Sequence, residues 1–292
     1  VAEQARILER GYRKYDGHRG GVGASVLTAT KHAIQRSLGL KRTVWQKVLP
    51  VVSIGMAYIP AIVFVGLVAL SERFRIEGDF GPTYAEYYGF VTAAILIFTA
   101  FVAPEILCTD RRSGMLGLYL ASPLNRNTYL LSKALAVLAI LSVVTIGPVL
   151  LVLVGKTILG RGPDGVDGWF LTFGRILLSG AAVSALYGSL SLAISSLTTR
   201  RAVASAAIVI VLVSSAAAVE SLIASGASPD LRALHLFALP FQLVYRIYGE
   251  RWDEAGRSDE ISSGLLVAAD VAWTLLFSFI VWWRYRKLTV TR

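Results

Sequence analysis

Few residues of this chain have the type and spacing that could do chemistry. Gly155-Lys156-Thr157 ends like a phosphate-binding loop, but Leu150 stands where the first glycine is required. Without that glycine the backbone cannot wrap a phosphate, so the motif is rejected. There is no HExxH or GxSxG signature and no cysteine pair that could hold a metal. Cys108 is the single cysteine, which excludes an intramolecular disulfide. The three histidines, His18, His32 and His235, are scattered. No metal site, no catalytic residue and no cofactor of the chain's own is therefore expected. Asp270 is the exception, an ionisable side chain deep in an apolar run. A carboxylate there costs a few kcal/mol, so it should face the bundle interior, find a partner or stay protonated. It reads either as a cation or proton site or as a structural carboxylate hydrogen-bonded to a neighbouring helix.

The elements that would position these residues are six apolar runs: Val48 to Leu70, Tyr87 to Pro104, Ala134 to Gly155, Ile176 to Thr199, Ala202 to Val219 and Ile261 to Trp283. A helix rising about 1.5 Å per residue needs about 20 residues to cross roughly 30 Å of hydrocarbon. These runs have that length, only the last contains a charge, and the mean hydropathy of the whole chain is +0.61. The expected fold is an all-α polytopic membrane protein with six transmembrane helices. It divides into a tail and interfacial helix at 1–47, the six-span domain at 48–283 and a basic tail at 284–292. No cleavable signal peptide is expected at the start, because the first 47 residues lack a short apolar core.

Charge is sorted between the connections. The termini and the loops after the second and fourth runs carry 20 of the 29 Lys and Arg residues but only 5 of the 19 acids. Basic loops stay cytoplasmic, so both termini are expected in the cytoplasm of a cell-membrane protein. The net charge of +10 then marks topology and attraction to anionic membrane lipids. A nucleic-acid partner is excluded, because exposed stacking aromatics are not interleaved with the basic residues.

Within the runs, Pro60 and Gly147-Pro148 should kink their helices. Ser184 with Gly188, and Ala202 with Ala206, would allow close helix approach, as at a dimer face, or reflect only the Ala- and Gly-rich composition general to membrane helices. The segment from Ala24 to Lys47 reads as an amphipathic interfacial helix with Leu27, Ile34 and Leu38 on one side. The stretch from Glu220 to Gly264 is too interrupted to span. It should form short helices at the outer interface, with Tyr245, Tyr248 and Trp252 at headgroup level.

The sharper signal lies between the second and third runs, from Ala103 to Val137. A charged entry (Asp110, Arg111, Arg112) leads into a short apolar helix (Met115, Leu116, Leu118, Tyr119, Leu120), a stop at Pro123 and a polar turn. Exposed Leu and Tyr on a compact loop suit a soluble partner; the alternative is that this ridge packs on the chain's own N-terminal helix near Leu27 and Ile34. Gly114, Leu116, Leu118, Tyr119, Leu120, Ala121, Ser122, Pro123, Arg126 and Lys133 resemble the coupling loop of type-2 ABC transporter permeases, exporter-like members included. Members of that family often carry glutamates just before the glycine, where this chain has Arg111, Arg112 and Ser113.

The resemblance implies a permease that dimerises with a second copy or paralogue and exports a substrate by alternating access. It implies cytoplasmic nucleotide-binding ATPase subunits as partners, which would bind the ATP and Mg. Contact with them would fall to Arg112, Gly114, Met115, Leu116, Leu118, Tyr119, Leu120 and Arg126, with Tyr119 as central anchor. The alternative is an ion-coupled secondary transporter or channel that uses Asp270.

Overall fold

The computed structural model describes residues 20–40, 43–74, 81–120, 123–250 and 261–287; the Leu120 side chain is outside that set. The acidic segment around Asp253, Trp252 and most of the basic C-terminal tail also fall outside it.

Among the described residues the structure is helical, with no strand. The helices are α1 (Val22–Ser37), α2 (Val44–Phe74), α3 (Tyr87–Ile97), α4 (Glu105–Arg112), α5 (Leu116–Leu120), α6 (Arg126–Thr145), α7 (Gly147–Ile158), α8 (Gly165–Leu197), α9 (Arg201–Ala224), α10 (Leu239–Tyr248) and α11 (Ser263–Lys287). A π-helical turn at Phe98–Val102 joins α3 to α4, and a 3-10 helix at Pro229–Leu234 precedes α10. Among the described residues, six helices are long and apolar enough to cross a membrane, counting α3–α4 and α6–α7 each as one.

All six spanning helices are longer than the apolar runs suggest. The third begins at Arg126 rather than Ala134, because Asn125 and Thr128 form a reciprocal capping box that starts the helix there. The second runs on through Asp110 and Arg111 to Arg112, and the fourth starts at Gly165. Charged residues read as loop are thus helical, held by partners described below.

α3 and α8 are buried over most of their spanning windows, whereas α2, α9 and α11 keep most of theirs exposed. The core therefore lies around α3, α6 and α8, with α2, α9 and α11 outside. Without a hydrophobic drive between helices in lipid, close packing has to come from small residues and side-chain hydrogen bonds. Ser184 and Gly188 serve this purpose inside the chain. The Ser184 hydroxyl lies 2.9 Å from that of Thr145, and a methyl added at Gly188 would come within 3.1 Å of Val137. Both face α6 within the chain. Ala202 and Ala206 are exposed on α9.

The third span breaks where Gly147-Pro148 predicts. The α6 helix ends at Thr145 and α7 starts at Gly147. Tyr58 of α2 fills the notch and donates a hydrogen bond to the Val143 carbonyl at 3.0 Å. A Cβ on Gly147 would overlap the Tyr58 hydroxyl, so any larger residue there would force the Tyr58 ring to move.

Between α9 and α11, α10 packs on α8 and α11 rather than spanning. Tyr248 differs from the expectation of a headgroup position. It is buried and stacks on Tyr84 with ring centroids 6.2 Å apart.

Candidate coupling site

The loop singled out by sequence is anchored by α4, whose charged side chains reach in two directions. Asp110 is fully buried. Its Oδ1 accepts from Arg36 of α1 at 2.5 Å. Its Oδ2 accepts from the Tyr129 hydroxyl of α6 at 2.9 Å and faces the Lys133 ammonium, also on α6, at 2.7 Å. Lys133 is itself 1% exposed. Two cations and a phenol around one carboxylate meet the requirement that a buried charge be paired and hydrogen-bonded. Three elements, α1, α4 and α6, are thereby tied at one point.

The opposite side of α4 grips the turn between α8 and α9. A helix ends with carbonyls that have no intrahelical partner. Arg111 donates to two of those at the end of α8, Ser196 and Thr198. Arg201, at the start of α9, donates to Glu105 at 2.6 Å and to the Phe101 carbonyl at 2.7 Å through Nη2. Phe101 lies in the π-helical turn that joins α3 to α4, where the regular hydrogen-bond ladder is interrupted. The irregular turn thus exposes a carbonyl that Arg201 covers.

At the end of α4 the chain reverses through Gly114, in the left-handed region at φ 66. The Met115 N–H donates to the Asp110 carbonyl and the Gly114 N–H to that of Arg111, a Schellman arrangement. This is the physical need for the glycine of the motif, and it directs α5 away from the helix axis.

The described side chains of α5 and of Met115 just before it divide between two faces. Leu118 is 72% exposed and Met115 is also exposed, whereas Leu116 is half-buried against the core. Tyr119 does not stand out as an exposed anchor. It packs with Val26 and Ala29 of α1 and with Leu124, its ring 4.8 Å from the Lys133 ammonium. Burial raises its phenol pKa above the ordinary value. The two faces arise because residues three apart on a helix point the same way, which puts Leu116 and Tyr119 together and Leu118 opposite.

Of the other expected coupling residues, Arg112 is exposed and Arg126 donates to the Arg286 carbonyl at 2.9 Å, joining α6 to α11. An open cavity of about 470 Å³ lies between α1 and α5, bordered by Thr28, His32, Met115, Leu118 and Tyr119.

The N-terminal helix ends at Ser37 rather than continuing to Lys47, and it turns the expected stripe inward only in part, with Ile34 and Leu38 half-buried against the core. Val26, Ala29, Ala33 and Ser37 are buried and face the bundle, while Leu27 is exposed. Thr30 also bonds the Ser132 carbonyl of α6 at 3.2 Å. The small residues allow α1 to lie close along α6, which large side chains would prevent.

Residues 76–283 match the family profile described as ABC-2 family transporter protein. The match covers more than half of the chain, from just after α2 almost to the end of α11. The chain belongs to the ABC-2 transporter family. It is the membrane component, or permease, of an ABC transporter, and this agrees with six helices able to span a membrane. A search of curated proteins finds no match to the chain. For an ABC-2 permease, the α4–α5 unit is the part of this bundle that carries both buried charge anchors and an outward apolar side chain.

Away from this unit, Asp270 lies buried in α11, and its Oδ1 has no hydrogen-bond partner among the described residues. It therefore faces the interior, as the cost of a charge in lipid requires. The nearby Tyr187 hydroxyl donates to the Phe237 carbonyl at 2.7 Å. Lys156 of the rejected phosphate-loop motif is buried at the opposite end of the bundle from α5. It donates to the Pro82 carbonyl at 3.4 Å and lies 5.3 Å from the Tyr84 ring centre. No group of His, Cys, Asp and Glu that could hold a metal occurs among the described residues.

Proposed function

We propose that this permease forms, with a second copy or paralogue, the membrane unit of an exporter driven by separate cytoplasmic ATPases. The α4–α5 unit is its lever. The observation that carries the reading is the exposure of Leu118 and Met115 beside the cavity against α1, directly after α4, which is anchored through Asp110, Arg111 and Glu105. An exposed leucine and methionine on a rigid mount suit a groove on a nucleotide-binding subunit. A push on α5 would then pass through α4 to α1 and α6 on one side and to the α8–α9 turn on the other.

In this reading the ATPase partners bind the ATP and Mg, and the chain contributes no catalytic group. The basic end of the bundle faces the cytoplasm of the cell membrane, as the loop charges favour. Affinity purification of the full-length chain, followed by identification of bound proteins, tests the assignment. A co-purifying nucleotide-binding subunit that cross-links to a cysteine at Met115 supports it. ATP-independent transport by the purified chain alone overturns it.

The alternative, ion-coupled transport through Asp270, draws on the buried Oδ1 that lacks a partner. It lacks a chain of further carboxylates to relay protons across the membrane.

A further inference from the structure

A cavity of about 360 Å³ opens between α6, α8 and α11. Its walls are apolar or small: Leu131, Ala134 and Leu138 on α6, Ala185 and Gly188 on α8, Ser278 on α11. Along α6 it extends from Asn127 to Leu138. At about 1.5 Å per residue this is about 16 Å. One leaflet of a bilayer has a hydrocarbon depth of about 15 Å, half of roughly 30 Å. The cavity thus has the length of a single leaflet and starts at the basic end of the bundle.

Two arginines flank the end of the groove nearest Asn127 and Trp282. Asn127 and Trp282 line the entrance. The Arg286 guanidinium lies 5.2 Å from the Trp282 ring centre, and Arg126 is bonded to the Arg286 carbonyl. Arg286 and Arg126 are both exposed, so their charges are available to a ligand.

We propose that this groove binds one anionic phospholipid from the leaflet at the basic end. An acyl chain lies between α6, α8 and α11, and the phosphate is held by Arg286 and Arg126. The charge at the mouth favours a phospholipid with net negative charge over a zwitterionic one. The apolar walls along the leaflet depth exclude a free phosphate as the occupant. This inference stands on the membrane-spanning fold and is independent of the ATPase coupling.

Native mass spectrometry of the full-length chain, delipidated and then titrated with dioleoyl phosphatidylglycerol or dioleoyl phosphatidylcholine, provides the test. The expected result is one phosphatidylglycerol retained at least fivefold more tightly than phosphatidylcholine. Arg286→Gln changes an exposed side chain and should abolish the preference without affecting the fold. Ser278→Phe should fill the groove and remove the bound lipid of either kind. Equal retention of the two lipids by the unaltered chain overturns the proposal, as does an unchanged preference in Arg286→Gln. Loss of a second copy of the chain from Ser278→Phe, with lipid binding intact, also overturns it and assigns the groove to a dimer contact.

Discussion

Asp110 and Lys133 face each other at 2.7 Å from α4 and α6, with 0% and 1% of their side chains exposed. Removing one partner of such a pair strands the other charge in a low-dielectric site, at a cost of about 3–5 kcal/mol. Asp110→Asn should therefore lower the thermal midpoint sharply, because Arg36 and Lys133 would both lose their counter-charge. Adding Lys133→Met should recover part of the loss, since one stranded cation is gone. A double-mutant cycle on thermal unfolding in detergent checks this, and strictly additive effects would remove the coupling between the two residues.

The notch at the break in the third span predicts a second coupled pair. Gly147→Ala would drive a methyl into the Tyr58 hydroxyl. Overpacking of this kind costs about 1–3 kcal/mol. Tyr58→Phe removes the clashing oxygen, so Gly147→Ala should be less damaging in that background. Unfolding of the four variants measures the difference. Equal damage in both backgrounds would place the strain elsewhere.

For Asp270, the expectation is a structural role. Asp270→Asn keeps a hydrogen-bonding side chain of the same shape and removes the charge, so ATP-driven transport should remain near the unaltered rate. Transport by reconstituted protein, with ATP hydrolysis as the control, decides this. Abolished transport with hydrolysis intact would favour the ion-coupled alternative.

Orientation is tested by single cysteines at two exposed positions, Ser225 after α9 and Ser113 before α5, at opposite ends of the bundle. An impermeant thiol reagent applied to intact cells should label Ser225→Cys and spare Ser113→Cys. The native Cys108 is buried and should stay silent. Labelling of Ser113→Cys from outside would invert the topology.

The six spans were legible in the sequence because lipid demands long uncharged runs, and Val48 to Leu70 or Ile261 to Trp283 can be little else. Their true ends were less legible. Asp110, Arg111 and Lys133 read as loop because a lone charge ends a span. Pairing cancels that rule, and the partner Arg36 is 74 residues from Asp110 in sequence. The coupling loop could be located by its Gly114 and its leucines, but not the direction of each side chain. Tyr119 has the composition of an anchor for a partner, yet the small Ala29 leaves space on α1 for its ring. Likewise, the face α1 turns to the bundle is set by Ala29 and Ala33, whose lack of bulk matters more than the hydrophobicity of Leu27. The Asn125–Thr128 capping box, visible as an Asn three residues before a Thr, was the one local signal that could have placed the start of the third span.

The account depends most on Leu118 as the outward contact of α5. Leu118→Asp puts a charge on an exposed residue, so insertion, folding and thermal stability should be unchanged. Association with the nucleotide-binding subunit should weaken by more than tenfold, equivalent to roughly 2 kcal/mol at an interface anchor. The decisive measurement is the affinity of the purified Leu118→Asp permease for its co-purifying ATPase, alongside ATP-dependent transport in proteoliposomes. Loss of both in a folded protein is the predicted result. A Leu118→Asp permease that binds its ATPase and transports at the unaltered rate would contradict the coupling role of α5.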